Sequence, residues 1–359
     1  MDATTILAWQ QLRLEAGPSI EQMKPNFSVH LRRRTMRGVL VDSWSMPTSS
    51  TCGYGAAVGA AQSIKSEPVA PTAWSPKFTR IGNLCISALL MMLICSQSAL
   101  SAGGSGKTLH YTSGGPGVAI ASAGFDLADV QSVEQLNALP PGMKGLIWLN
   151  ESSGVTPRFI AKVRPFIGNP RLFGFRLCDE PDITGKYHSP AVSPAALKAE
   201  TEWIRANVPG AVTFVTLMDM GSFEAPAFMN TFNPANTGID LFGLDPYPVR
   251  GKAFDLDFID RTVEAAVAAG IPLDRIVPVY QAFGGGNWKT RTGAAADVYV
   301  LPTPDQAKQI FARWATYSPA PVFDFAYAWG SQNGDTKLGS ASPEALELRL
   351  AFKAHNTAP

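Results

Sequence analysis

The feature that most limits the fold is an alternation that begins at Lys107, in which short apolar or β-branched runs are separated by longer amphipathic segments. Runs of this kind, spaced by helix-length stretches, argue βα units around a parallel sheet. Eight candidate strands can be read: TLHYTS (108–113), GFDLADV (124–130), KGLIWLN (144–150), LFGFRLCDE (172–180), AVTFVTLMD (211–219), IDLFGLDPYP (239–248), RIVPVYQAFG (275–284) and PVFDFAYAWG (321–330). Between and after them lie the helical patterns SVEQLNAL, TPRFIAKVRPFI, SPAALKAETEWIRANV, DFIDRTVEAAVAAG, TPDQAKQIFARWATY and SPEALELRLAFKAH. Several open on Ser or Thr followed by Pro or an acid, as helix starts are built. The segments after the first and fifth strands are the weakest helices. Eight strands each followed by a helix, in about 250 residues, predict an α/β fold of the (β/α)8 TIM-barrel kind. An open doubly wound sheet is the rival, but it would carry a Gly-rich first turn. SGGPGVAIASAG (113–124) has no GxGxxG, and GGSGKT (103–108) has Ser101 where a phosphate loop needs Gly, so both read as a turn or linker.

Composition narrows the partners. Of 359 residues 46% are hydrophobic and 16% charged, enough for a large core, and the formal net charge is +1. The only Lys/Arg run is Arg32, Arg33 and Arg34, so nucleic acid and anionic lipid are excluded as partners and a neutral ligand is expected. The cysteines Cys52, Cys85, Cys95 and Cys178 form no CxxC pair and no Cys/His spacing of a zinc site, and no cofactor is expected.

Residues Leu84 to Cys95 (LCISALLMMLIC) follow Lys77 and Arg80 and precede the small-residue run SQSALSAGGSG, the layout of a secretory signal peptide cut near Ser101/Ala102. The expected organisation is an extension over 1–76 that is disordered or lies upstream of the true start, a signal peptide or signal anchor over 77–101, and a catalytic barrel over 102–359. The barrel would then work in the periplasm or outside the cell as a monomer, touching the membrane only through its signal; as an anchor, the segment would hold it outside the inner membrane. After cleavage only Cys178 remains, so no internal disulfide is expected.

Active residues of such barrels sit at the C-terminal ends of the strands. Read in order, these ends carry Asp126 and Asp129, Asn150 and Glu151, Asp179, Glu180 and Asp182, Asp219, Asp245 and Tyr247, Tyr280 and Gln281, and Tyr327, Trp329 and Gln332. Carboxylates, amides and aromatics on one rim suit carbohydrate, because aromatic faces stack on sugar rings and paired carboxyls run glycosidic cleavage. Asp179-Glu180-Pro181 at the end of the fourth strand resembles the Asn-Glu-Pro of the large (β/α)8 glycoside hydrolase superfamily, whose members carry a catalytic Glu after strands four and seven. Trp329 matches the tryptophan that lines the catalytic sugar subsite there, and the resemblance covers 107–356 at the level of architecture. It implies Glu180 as acid/base. The departure is at strand seven, where VYQAFGGGNW puts Gln281 in the place of the nucleophilic Glu. An amide cannot form the glycosyl ester, so a second carboxylate is expected from another strand: Asp245 first, then Asp219 and Glu151.

The reading is a hydrolase acting on a polysaccharide or oligosaccharide. Glu180 is the general acid, its pKa raised by the apolar strand and Asp179, and Asp245 is the base or nucleophile. Asp179, Asn150, Glu151, Asp219, Tyr247, Tyr280, Gln281, Trp288 and Trp329 are the candidate substrate contacts. Each acid also has a plainer role as cap or turn former, which fits Asp179 and Asp182 better than Glu180. Aromatic residues are also core fillers, and Cys178 reads as a buried structural thiol. The competing class is a carbohydrate-binding barrel without a nucleophile. A metal-dependent hydrolase, with Asp179, Asp182 and Asp245 as ligands, is disfavoured because the paired histidines such barrels use are missing from the rim.

Overall fold

The computed structural model describes residues 107–187, 190–229, 231–288, 298–332 and 334–358. The proposed extension, the signal segment and His188 lie outside the described residues. Eight parallel strands close into a barrel: β1 (Leu109–Thr112), β2 (Leu127–Val130), β3 (Lys144–Trp148), β4 (Leu172–Asp179), β5 (Val212–Thr216), β6 (Leu241–Leu244), β7 (Ile276–Gln281) and β8 (Phe323–Tyr327). Closure is made by β1 pairing with both β2 and β8, with His110 opposite Asp324 in the β1–β8 register. This is the TIM barrel that the alternation predicts.

A helix follows every strand: α1 (Gly117–Ser122), α2 (Val133–Asn137), α3 (Pro157–Val163), α4 (Pro194–Asn207), α5 (Pro234–Thr237), α6 (Asp257–Ala268), α7 (Pro304–Tyr317) and α8 (Pro343–Asn356). The weak patterns after strands one and five become the short α1 and α5, and the Gly-rich stretch read as a turn holds α1. Helix starts follow the sequence signals. At α7, Thr303 accepts from the Gln306 N–H while Gln306 accepts from the Thr303 N–H, a reciprocal cap with Pro304 next in line. No helix among the described residues is long and apolar enough to cross a membrane.

Two apolar layers follow from strand alternation. Outward side chains meet the helices, while Tyr111, Leu146, Phe173, Phe214, Phe323 and Phe325 are among those filling the barrel. Their rings pack edge-on, with Phe214 and Phe173 at 5.1 and 5.6 Å from Phe323. Gly243 is small because a Cβ there would lie 2.9 Å from the Phe214 ring. The loops at the C-terminal rim carry most of the irregular chain, including a two-residue ribbon Val249–Arg250/Ala253–Phe254 and a second pairing Phe283–Gly284 with Thr336–Lys337.

Candidate active site

The site begins inside β4. Simple alternation would send Arg176 and Cys178 to one face, but the β4–β5 register shifts between Arg176 and Asp179. Leu177 and Cys178 both enter the outer apolar layer, and Arg176 points into the barrel. Such a bulge re-aims the residues that follow it. Asp179 therefore returns over Arg176 and pairs with it, while Arg176 also donates to Thr216 Oγ1 at 2.9 Å. Glu180 then adopts a left-handed backbone, φ 42°, held by its N–H on the Thr216 carbonyl at 3.0 Å. That conformation costs an ordinary L-residue on the order of 1 kcal/mol, strain of the kind kept at functional sites.

Glu180 lines a cavity of about 440 Å³ at the C-terminal rim together with Asp245, Asp219, Tyr247, Phe223 and Tyr299. The size falls in the range of small-ligand sites, about 300–1,000 Å³. Asp245, from the end of β6, has its carboxyl held well above the usual range by burial, then by the negative charges of Glu180 and Asp179, with a hydrogen bond from Tyr247 opposing. Two neighbouring carboxyls that cannot both ionise cheaply share a proton. Tyr247 is fixed by Phe283, Tyr299 and Tyr327, at ring separations of 4.8, 5.7 and 6.2 Å. A larger hollow of about 590 Å³ beside β3 contains Asn150 and Trp148 but has no carboxyl pair, only Glu134 and Lys162.

Several expected contacts are elsewhere. Asn150 takes φ 49° and faces that second hollow. Glu151 is buried and spent on Arg158 and Lys162 at 2.8 and 2.6 Å. Tyr280 points outward, its ring 4.8 Å from Phe311, because it alternates with the inward Val279. Trp329 is buried under Gly115, 6.3 Å from Phe125 and with Arg349 5.1 Å over its ring, so it is absent from the cavity wall. Trp288 is held against Phe283 and donates to Asp335. Asp219 reaches the cavity, yet one oxygen caps its own loop by accepting from Gly221 and Ala227 N–H. Asp182 likewise binds Thr184 and Tyr187 N–H within its turn. Cys178 is buried, as expected, and burial raises its thiol.

Gln281 is the clearest correction. It is 1% exposed, and its amide is a clip: the oxygen accepts from Val249 N–H at 2.9 Å and the nitrogen donates to the Val249 and Val300 carbonyls, each at 2.9 Å. A carboxylate here would face two carbonyl oxygens. Gln281→Glu is therefore expected to create no activity and to cost about 2–4 kcal/mol, or roughly 5–15 °C in melting temperature. The loss should be larger at pH 8 than at pH 5, because the protonated acid can still donate one bond.

Glu200 on α4, next to Glu151, gives a second test of burial. It is fully buried, accepts from Gly154 N–H at 2.8 Å, and leaves its other oxygen without a partner. Burial pushes its pKa up to about 8, opposed by the Gly154 bond and aided by the charge of Glu151. Its protonated form favours the fold, so this contribution is complete below the ordinary carboxylate pKa and is lost as pH rises through about 8. Glu200→Gln keeps the acceptor. Melting curves should show it gaining several degrees over the wild type at pH 9 and little at pH 5.

The residues that sequence reading missed are Arg176, Phe223, Tyr187 and Tyr299. Only Arg176 carried a signal, a charge inside an otherwise apolar strand. No family model and no curated protein matches the chain. Among solved structures it is similar to the GH18 chitinase ChiB from Flavobacterium johnsoniae, with 11% identity over 70% of this chain and 94% of that one, TM-score 0.44. It is also similar to the Lactobacillus rhamnosus β-glucuronidase, 13% over 70% and 50%, TM-score 0.45. A third is the chitinase-like agglutinin RobpsCRA from Robinia pseudoacacia, 10% over 69% and 100%, TM-score 0.41. Likeness at this level carries no argument about activity, which rests on the site itself.

Proposed function

We propose that the barrel hydrolyses an O-glycosidic bond of an oligosaccharide or polysaccharide, with Glu180 and Asp245 as its carboxyl pair. The observation that carries this reading is that β4 and β6 bring these two groups to one aromatic-walled cavity, where burial and mutual repulsion favour a single shared proton. Glycosidic cleavage needs that arrangement: one carboxyl gives a proton to the leaving oxygen while the other, ionised, attacks the anomeric carbon or takes the proton of an attacking water. Glu180, next to the rim, is the donor to the leaving oxygen; Asp245, deeper, is its partner. Tyr247 and Tyr299 offer ring faces to the sugar, and Asp179 sets the local charge together with Arg176. The protein acts as an exported monomer, and its mature chain starts near Ala102.

The amide at Gln281 favours a second reading, a carbohydrate-binding barrel. A reducing-sugar screen over defined oligosaccharides, run beside calorimetric binding to the same panel, separates the two. The hydrolase reading expects new reducing ends from the wild type and none from Glu180→Gln; binding without turnover by the wild type would support the binding barrel.

A further inference from the structure

At the N-terminal end of the barrel, away from the rim, three side chains from three elements converge on one point. His110 of β1 and Asp324 of β8 are register partners across the seam that closes the barrel, so both project from the outer face of the sheet side by side. His355 comes down from α8. His110 Nδ1 lies 3.0 Å from each Asp324 oxygen, and His355 Nε2 lies 3.0 Å from Oδ2. Among the described residues this is the only set whose three ligand atoms all lie within 4.8 Å of one another.

We propose that His110, Asp324 and His355 bind a divalent transition metal ion, with zinc as the best match. In a tetrahedral zinc site the bonds to imidazole nitrogen and carboxylate oxygen are about 2.0–2.2 Å, which sets neighbouring ligand atoms about 3.3 Å apart. The two His–Asp separations of 3.0 Å need to open by a few tenths of an ångström, and the two imidazole nitrogens already lie within 4.8 Å of each other. Each ring would coordinate through the nitrogen now facing Asp324 and keep its proton on the other nitrogen. Two imidazoles and one carboxylate are the donors zinc takes when a fourth position is left for water.

The surroundings fit a built site. Asp324 and His110 are 2% and 5% exposed, and the Tyr280 ring from the next strand packs edge-on against His355 at 5.5 Å. Phe311 stacks on the His355 ring at 4.2 Å and 21°, fixing its plane. A cavity of about 390 Å³, bounded by Thr108, Phe311 and Pro319, opens onto the three residues and gives the ion a path and its water a place. A metal here would tie the first strand to the last strand and the last helix, so its binding energy would act on barrel closure. The sequence expectation of no zinc site looked for local spacing, which these three residues, far apart in the chain, do not have.

The test uses the full chain freed of metal by a chelator and titrated with zinc chloride. One equivalent should bind by calorimetry, and melting temperature should rise by about 5–10 °C at a hundredfold excess over Kd. X-ray absorption at the zinc edge should show only nitrogen and oxygen neighbours, with imidazole scattering, which separates this site from the four cysteines. His355→Gln, whose amide can still donate to Asp324, should fold and melt like the metal-free wild type but lose the binding isotherm and the shift. A wild type that takes up no stoichiometric zinc, sulfur in the zinc shell, or undiminished binding by His355→Gln would each overturn the assignment and leave a hydrogen-bonded triad.

Discussion

Glu180→Gln is expected to lower kcat by about 10²–10⁴-fold on any glycan the wild type cleaves, with KM changed only a few-fold. The amide keeps the shape and hydrogen-bonding reach of the carboxyl but cannot deliver a proton to the leaving oxygen. Asp245→Asn should cost a similar factor, because it removes the partner whose ionised form the reaction needs. The double variant should be little worse than either single one, since the two groups act as a unit. The pH profile gives an independent check. Burial and the charges around Asp245 oppose the second ionisation of the pair, so one proton stays in it as pH increases; with Asp245 ionised that proton sits on Glu180, and activity should fall on the alkaline side as it is lost. Asp179→Asn removes one of the negative charges that hold Asp245 up, and the alkaline limb should move to lower pH. An alkaline limb that stays in place would remove Asp179 from the electrostatics of the pair.

Arg176→Met should be the most destabilising single change near the site, at about 3–5 kcal/mol, or on the order of 10 °C in thermal unfolding. Arg176 is 4% exposed and lies 5.4 Å from the Trp148 ring, 5.9 Å from Phe214 and 5.5 Å from Phe325. Burial by itself would lower its pKa, but the charges of Asp179 and Asp129 raise it, so it stays a cation at the boundary between the apolar plug and the polar rim. Methionine fills much of the same space and keeps the ring contacts. What is lost is the partner of Thr216 and Asp179 and the counter-charge to Asp129, whose carboxyl is already raised by burial and has one oxygen without a partner. Asp129→Asn added to Arg176→Met should therefore recover part of the loss. A single-variant loss below about 1 kcal/mol would mean that the guanidinium contributes little beyond its packing.

The barrel was legible because its period is local. Each strand is a run of apolar and β-branched residues, α7 and α8 carry their own caps in Thr303 and Ser342, and only the count and spacing of these units is needed to reach eightfold closure. The candidate carboxyls were legible for a related reason: a parallel strand delivers its last residues to the same rim as every other strand, and there Glu180 and Asp245 line one cavity. The finer assignments failed where side-chain direction depends on more than period two. Trp329 and Tyr280 read as rim aromatics and are buried between sheet and helices. Gln281 stands in the right strand and faces inward, yet backbone groups of two other loops take up its amide.

The sequence by itself determined the class of fold, the strand ends that carry acids, and Glu180 and Asp245 as the groups to watch, because these follow from residue type and short-range spacing. Only the tertiary structure decided their aim and their company. The bulge at Leu177–Cys178 and the left-handed turn at Glu180 exist because β4 must stay in register with β5 while putting Arg176 into the barrel. The same holds at the seam. His110 and Asp324 are 214 positions apart and share no pattern in the chain; closure of the barrel alone brings the first strand against the last and makes them neighbours.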